Sequence, residues 1–317
     1  MDAINLQVDE LMEFLKILEG IRTPVGDFFF LICTYGGEEI MLLSLVCILF
    51  WCVDKKLAYR MTFAYLPSAL AVDIIKLSCR VERPWVRDPS ITVVEAAKKT
   101  ADGYSFPSGH TQNATSLFGT LGYVNKKTLR VILWLLIPLV MFSRMYLGVH
   151  TPTDVFASFT LSVVIVSAIN LIADRVQFDH KKRLICAAFL LPFAIGTIIY
   201  TYVLYSSGMI AYKDAADSFK GCGGGLGFII CWILETRYVN FDVKCSSTGK
   251  QVLKLVIGLA GILILKEGIK HSFNALIGPS FFTDVFRYLL MMFWAMFIMP
   301  VIIKKYFQEK PENKING

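Results

Sequence analysis

Two of the four histidines in this 317-residue chain, His110 and His150, sit in polar gaps between long apolar runs. His150 is followed four residues later by Asp154. A carboxylate that hydrogen-bonds one imidazole nitrogen sets the tautomer and leaves the other nitrogen nucleophilic. His110 follows Ser108 and Gly109, which open an apolar run, and the free amides and positive dipole end of such a helix start attract an anion. Lys76, Arg83 and Arg144 add three cations. Cations and backbone donors suit a dianionic phosphate and its more charge-spread transition state. Two histidines suit a nucleophile and a general acid, both able to titrate near neutral pH.

Each piece also has a plain structural reading. Lys76 and Arg83, seven residues apart, would share one face of a helix continued to Arg83, where long cationic side chains snorkel at a C-terminus. Thr151, Pro152 and Asp154 fit N-cap, N1 and N3 of a capping box, and Ser108 fits an N-cap. What capping and snorkelling leave unexplained is why all of these residues fall on one side of a membrane.

That side follows from the elements that must carry them. The chain is 55% hydrophobic and 18% charged, in about nine blocks near the roughly 20 residues that a bilayer requires: 28–53, 57–79, 108–124, 129–149, 152–174, 183–206, 218–236, 250–268 and 283–303. The expected fold is all-α, a polytopic integral membrane helical bundle of about nine transmembrane helices. Residues 1–22, with Ile4, Val8, Leu11, Leu15 and Leu18 at helical spacing and acids between them, are expected to form an amphipathic interfacial helix. Residues 23–206 would form a six-helix core, and 207–317 a three-helix extension with a cytoplasmic tail.

Lys/Arg-rich connections at 54–60, 125–130, 179–183 and 244–254 mark the cytoplasmic side. The net charge of +7 is then mostly topology and gives no reason to expect nucleic acid. Connections 80–107, 144–154 and 207–217 fall outside, so Arg80, Arg83, Arg87 and Arg144 break the positive-inside bias and need another purpose. The site is expected on the extracytoplasmic face of a plasma membrane, with a bacterial one favoured, or on the lumenal face of an internal one.

The motifs K(x6)RP at Lys76 to Pro84, PSGH at Pro107 to His110, and SR(x5)H(x3)D at Ser143 to Asp154 together resemble the three signatures of the type-2 phosphatidic acid phosphatase superfamily. That family includes lipid phosphate phosphatases, sphingosine-1-phosphate phosphatases, glucose-6-phosphatase and vanadium haloperoxidases. The resemblance covers about residues 57–175 and implies a metal-independent phosphoric monoester hydrolase. His150 would attack phosphorus to form a phosphohistidine, oriented by Asp154, and His110 would protonate the leaving alkoxide. Lys76, Arg83, Ser108, Gly109 and Arg144 would hold the phosphate. No metal and no cofactor is implied. The expected partners are membrane lipids and a phosphorylated lipid substrate of phosphatidate, sphingoid-base or isoprenyl type, with a homo-oligomer allowed. The alternatives are a soluble sugar phosphate, since nine spans look more like glucose-6-phosphatase, and a non-catalytic lipid-phosphate binder or transporter.

Other features are weaker. Glu38 and Glu39 lie inside the first apolar block, where a carboxylate is costly; one is expected to border the substrate cavity or pair with a site cation, against a simple helix break near the interface. Asp73 is expected to neutralise or orient Lys76. The run Gly221 to Gly227 suits close helix packing better than a phosphate loop. Eight cysteines without a CxxC pair read as buried thiols.

Overall fold

The computed structural model describes residues 2–177, 180–245, 247–278 and 280–308. The side chains of residues 1–10, 174, 176, 177, 180, 274, 276 and 277 lie outside the description. So do Phe178 and Asp179 of one basic loop and the tail from residue 309.

Among the described residues every regular element is helical. In chain order they are α1 (Asp2–Gly20), α2 (Pro24–Tyr35), α3 (Glu39–Ile48), α4 (Lys55–Cys79), α5 (Pro84–Arg87), α6 (Glu95–Lys98), α7 (Gly109–Ala114) and α8 (Thr120–Val124). There follow α9 (Lys127–Tyr146), α10 (Pro152–Gln177), α11 (His180–Ser206), α12 (Tyr212–Leu234), α13 (Thr248–Ile277), α14 (Phe281–Phe293) and α15 (Met299–Ile302). Wide π-helical turns extend α3, join α7 to α8 and α14 to α15, and follow α12 and α15.

Each of the nine apolar blocks falls on helix, but fewer meet the demands of a bilayer crossing. Five segments are long and apolar enough: Lys55–Arg87, Lys127–Tyr146, Pro152–Ala173, Lys181–Ser206 and Phe281–Phe307. A sixth arises if α2 and Glu39–Val53, bent by 45° at their junction, count as one broken span. The run Gly109–Val124 extends only about 24 Å at 1.5 Å per residue, short of the roughly 30 Å hydrocarbon core. Glycines dilute α12, and α13 carries Lys250, Lys254, Lys266 and Glu267. Large apolar side chains exposed along the long helices, such as Leu135, Phe156, Phe189 and Ile264, are those of a multi-pass membrane protein.

The chain forms two compact units. The first contains Met1–Ser44, Arg60–Arg175 and Thr197–Ser218, and so every motif residue. In it Met12, Leu15 and Leu18 of α1 are buried, so this end of the helix packs on protein, while the side chains of Ile4 and Val8 lie outside the described residues. Lys16 pairs with Asp88 at 2.9 Å, Glu19 accepts from the amide and hydroxyl of Thr92, and Arg22 donates to the carbonyls of Tyr146 and Thr92 at 2.7 Å each. The connection 80–107 folds over the end of α9 through a small apolar core: Ala97, Ala101, Tyr146, Leu147 and Val149, flanked by Phe30, Trp85 and Val94.

The second unit contains Leu45–Tyr59, Val176–Gly196 and Phe219–Gly317. Its buried Trp51 donates to the carbonyl of Ala295 at 2.9 Å and leans on Gly258. Glu235 is fully buried, bonded to Tyr59 and paired with Lys55 at 3.1 Å. The glycine run of α12 lets α14 approach: a Cβ on Gly227 would lie 2.7 Å from Met292 Cβ. The cysteines are free thiols; Cys222 and Cys231 are buried, whereas Cys79, expected to be buried, is exposed at the end of α4.

Gly148, in the turn between α9 and α10, has a φ of 80°, and a Cβ there would lie 2.9 Å from the Thr92 carbonyl and 2.7 Å from Arg22 Nη2. Gly148→Ala is therefore expected to destabilise the protein by at least about 1 kcal/mol, read as a lower midpoint of thermal unfolding in detergent. A conservative Ala exchange at Gly20, where nothing lies within 4 Å, should leave that midpoint nearly unchanged.

Candidate active site

The site assembles where α4, α7, α9 and α10 end or begin. Helix α4 stops at Cys79 because Arg80 turns left-handed, with a φ of 52°, a common way to end a helix. The expectation that Lys76 and Arg83 share one helix face is thereby corrected. Arg83 lies in extended backbone as the cap of α5, where the following Pro84 disfavours helical geometry. Of the four outer arginines, Arg83 and Arg144 are buried, Arg80 is exposed and Arg87 is half-buried.

His150 is 1% exposed and Asp154 likewise. The Nδ1 of His150 faces Asp154 Oδ2 at 3.3 Å, and its Nε2 accepts from Arg83 Nη1 at 2.9 Å. Since a guanidinium only donates, Nε2 carries the lone pair and Nδ1 the proton. Burial, then the Arg83 charge, pushes the imidazole well below its ordinary value of 6.5, while Asp154 pulls it upward. The group is thus a neutral base whose lone pair is available. Asp154 is itself fixed by the Thr151 amide at 2.8 Å, as the capping box required, and by Ser105 Oγ at 2.6 Å.

Arg83 is held by three carbonyls: Gly103 at 3.0 Å, Val149 at 3.1 Å and Asp102 at 2.7 Å. With His150 these occupy four of its five N–H groups. Arg144 is the opposite case. It is 0% exposed and donates from Nη1 to Thr34 Oγ1 at 2.8 Å, while Nε and Nη2 have no partner. An unsatisfied buried guanidinium is costly, and a bidentate anion would satisfy it.

Ser108 caps α7 by accepting from the Thr111 amide. Its own amide donates to the Asp154 carbonyl at 3.1 Å, and Ser158 Oγ donates to its carbonyl at 2.7 Å. The start of α7 is thus pinned to α10. The Nζ of Lys76 would be 3.9 Å from a Cβ on Gly109, so that cation lies over the exposed amides at the helix start. Asp73, one turn earlier on α4, lies within electrostatic reach of Lys76. His110 Nε2 meets Glu38 Oε1 at 3.1 Å, and both Arg83 and Arg144 lie within electrostatic reach of both histidines.

All eight residues singled out from sequence lie in this first unit. Ser105 and Thr34 escaped notice, because a lone hydroxyl has no spacing signature and both act across large sequence separations. Of the two suspect acids, Glu38 binds His110, while Glu39 accepts from Tyr65 at 2.7 Å.

Residues 57–178 match the PAP2 superfamily, and residues 219–311 match the transmembrane extension of PAP2 superfamily phosphatases. A probable sphingosine-1-phosphate phosphatase of Dictyostelium discoideum is 24% identical over 82% of this chain and 66% of its own length. Phosphatidylglycerophosphatase B of Bacillus subtilis is 26% identical over 47% of this chain and 76% of its own length. Lipid A 4'-phosphatase of Porphyromonas gingivalis is 30% identical over 47% of this chain and 66% of its own length. The chain thus spans just under two thirds of the first and third of these relatives. Among solved structures, LpxE of Aquifex aeolicus gives a TM-score of 0.43 at 24% identity, covering 50% of this chain and 92% of that one. A PAP2-type phosphatidylglycerolphosphate phosphatase of Bacillus subtilis gives 0.46 at 24% identity, covering 54% and 88%. Since the first matched stretch holds the segment from Lys76 to Asp154 and the second holds most of α12 and all of α13 to α15, the chain belongs to the PAP2 superfamily.

Proposed function

We propose that this protein is an integral membrane phosphatase that removes phosphate from a lipid phosphate monoester through a phosphohistidine. One observation carries the reading: a neutral His150 whose Nδ1 faces Asp154, close to an Arg144 with two unpartnered donors. His150 Nε2 attacks phosphorus once the phosphate takes its place on Arg83. Arg144, Lys76 and the amides of Gly109 and His110 hold the phosphoryl oxygens, and His110 gives its proton to the leaving alkoxide. Water then attacks the phosphohistidine, with His110 taking its proton, and phosphate departs. No step calls for a metal, and activity in excess chelator is expected.

The lipid class rests on placement. The site lies at the ends of apolar helices, where a headgroup would lie while its tail stayed in lipid, and the three relatives are named for lipid phosphates. Its membrane face rests on charge. Helix α4 has Lys55 and Lys56 at its start and Lys76 near its end; α9 has Lys127 and Arg130 at one end and Arg144 at the other; α10 runs from Asp154 to Arg175. Along these helices the basic end and the site are about 20–32 Å apart at 1.5 Å per residue, which supports a site on the extracytoplasmic or lumenal side. In the full proposal residues 23–206 form the catalytic core and 207–317 an extension, with α8, α12 and α13 crossing with their neighbours to reach nine spans.

Purified protein in detergent, with chelator, is expected to release phosphate from phosphatidate, sphingoid-base phosphate or isoprenyl phosphate in preference to glucose 6-phosphate. Preference for the sugar would move the reading to a soluble substrate, and no release from any would overturn it. His150→Ala should abolish turnover and the acid-labile phosphoenzyme; a binder or transporter would be indifferent to that loss. Arg144→Ala should lower kcat/KM by about 10²- to 10³-fold while His150 remains able to bond Asp154.

A further inference from the structure

The break between α2 and α3 brings three residues, Thr34, Gly37 and Glu38, against the site, all of them outside the residues matched to the PAP2 domain. Thr34 accepts from Arg144. Gly37 touches α7 so closely that a Cβ there would lie 2.6 Å from the His110 carbonyl, and its own carbonyl accepts from Asn113 Nδ2 at 2.9 Å. Glu38 then presents Oε1 to His110 Nε2 at 3.1 Å. Both side chains are mostly covered, at 17% and 12% exposure, in a segment where a carboxylate is expensive.

We propose that Glu38 is the positioning residue of the general acid, so that the site contains two histidine–carboxylate pairs with opposite duties. The inference rests on the reading of His110 as the acid. Asp154 meets a histidine that must be neutral to attack. Glu38 meets one that must carry a proton although burial first, and then the Arg144 and Arg83 guanidiniums, oppose a positive charge there. The Glu38 carboxylate is the counter-charge that lets His110 hold that proton, and its bond to Nε2 leaves Nδ1–H to face the leaving group. In the first half-reaction the P–O bond breaks as the P–N bond to His150 forms, and the His110 proton passes to the bridging oxygen. The alcohol leaves, and neutral His110 stays bonded to Glu38. The neighbouring Glu39 is engaged by Tyr65 and does not duplicate this role.

A proton donor matters in proportion to how poor the leaving group is, which separates positioning from mere support of the fold. Glu38→Gln, nearly the same shape without the charge, is expected to lower kcat/KM on a long-chain alkyl phosphate by about 10²-fold. On 4-nitrophenyl phosphate, whose phenolate leaves unaided, the loss should be several times smaller. Glu38→Asp should recover part of the alkyl phosphate rate. Combined with His110→Ala, Glu38→Gln should add little further loss, because the two act as one unit. Equal losses on both substrates in Glu38→Gln and Glu38→Asp, or additive losses in the double variant, would overturn the proposal. If His110→Ala itself showed no dependence on leaving group, the assignment of His110 as acid would fall first; if it did and Glu38→Gln did not, only Glu38 would lose its role.

Discussion

The buried guanidinium of Arg83 is the constraint on which the rest of the site depends. A cation withdrawn from water at the end of an apolar helix must have its donors satisfied, and here the partners come from two separate stretches of chain, Asp102 and Gly103 on one side and Val149 and His150 on the other. Meeting that demand closes the connection 80–107 onto the loop between α9 and α10. Once it is closed, Ser105 reaches Asp154, and the Val94 amide reaches the Leu147 carbonyl at 3.2 Å. The same bond to His150 Nε2 also decides the tautomer, so one residue sets both the loop and the protonated nitrogen of His150.

Arg144 shows the complementary use of a buried charge. It is anchored at one nitrogen and left unsatisfied at two, an arrangement that a protein built for stability alone would avoid. A neutral imidazole, an unsatisfied guanidinium and a helix start lie together at the ends of apolar helices, the observations on which the proposal of a lipid phosphate rests.

The bent pair of α2 and α3 contributes through its break. Between the two helices, after Gly36 and Gly37, Glu38 meets His110 at the start of α7. Gly37 permits the contact because a side chain there would strike the His110 backbone. Packing, hydrogen bonding and electrostatics therefore meet at the same few residues, Thr34 to Glu38, whose sequence alone reads as an interrupted apolar run.

Much of the chemistry was legible in the chain itself. His110, His150, Asp154 and the cations stand in short motifs, and capping preferences are local, so Thr151, Pro152 and Asp154 could be placed without any tertiary information. Apolar blocks likewise announced a membrane protein. Of the nine blocks, five helices, or six with the bent pair counted as one, are by themselves long and apolar enough to cross, since hydropathy along a block does not say how its helix is broken or how many charges it carries. The helical register linking Lys76 to Arg83 failed at Arg80, whose left-handed turn has no signal as strong as a glycine would give. Ser105, Thr34 and the partner of Glu38 were decided only by the tertiary structure, since each bond joins residues 45 or more positions apart. The sequence by itself determined which groups could react. Folding decided which nitrogen of His150 is free, which arginine remains unsatisfied and which carboxylate serves which histidine, because those depend on distances between segments that no local pattern encodes.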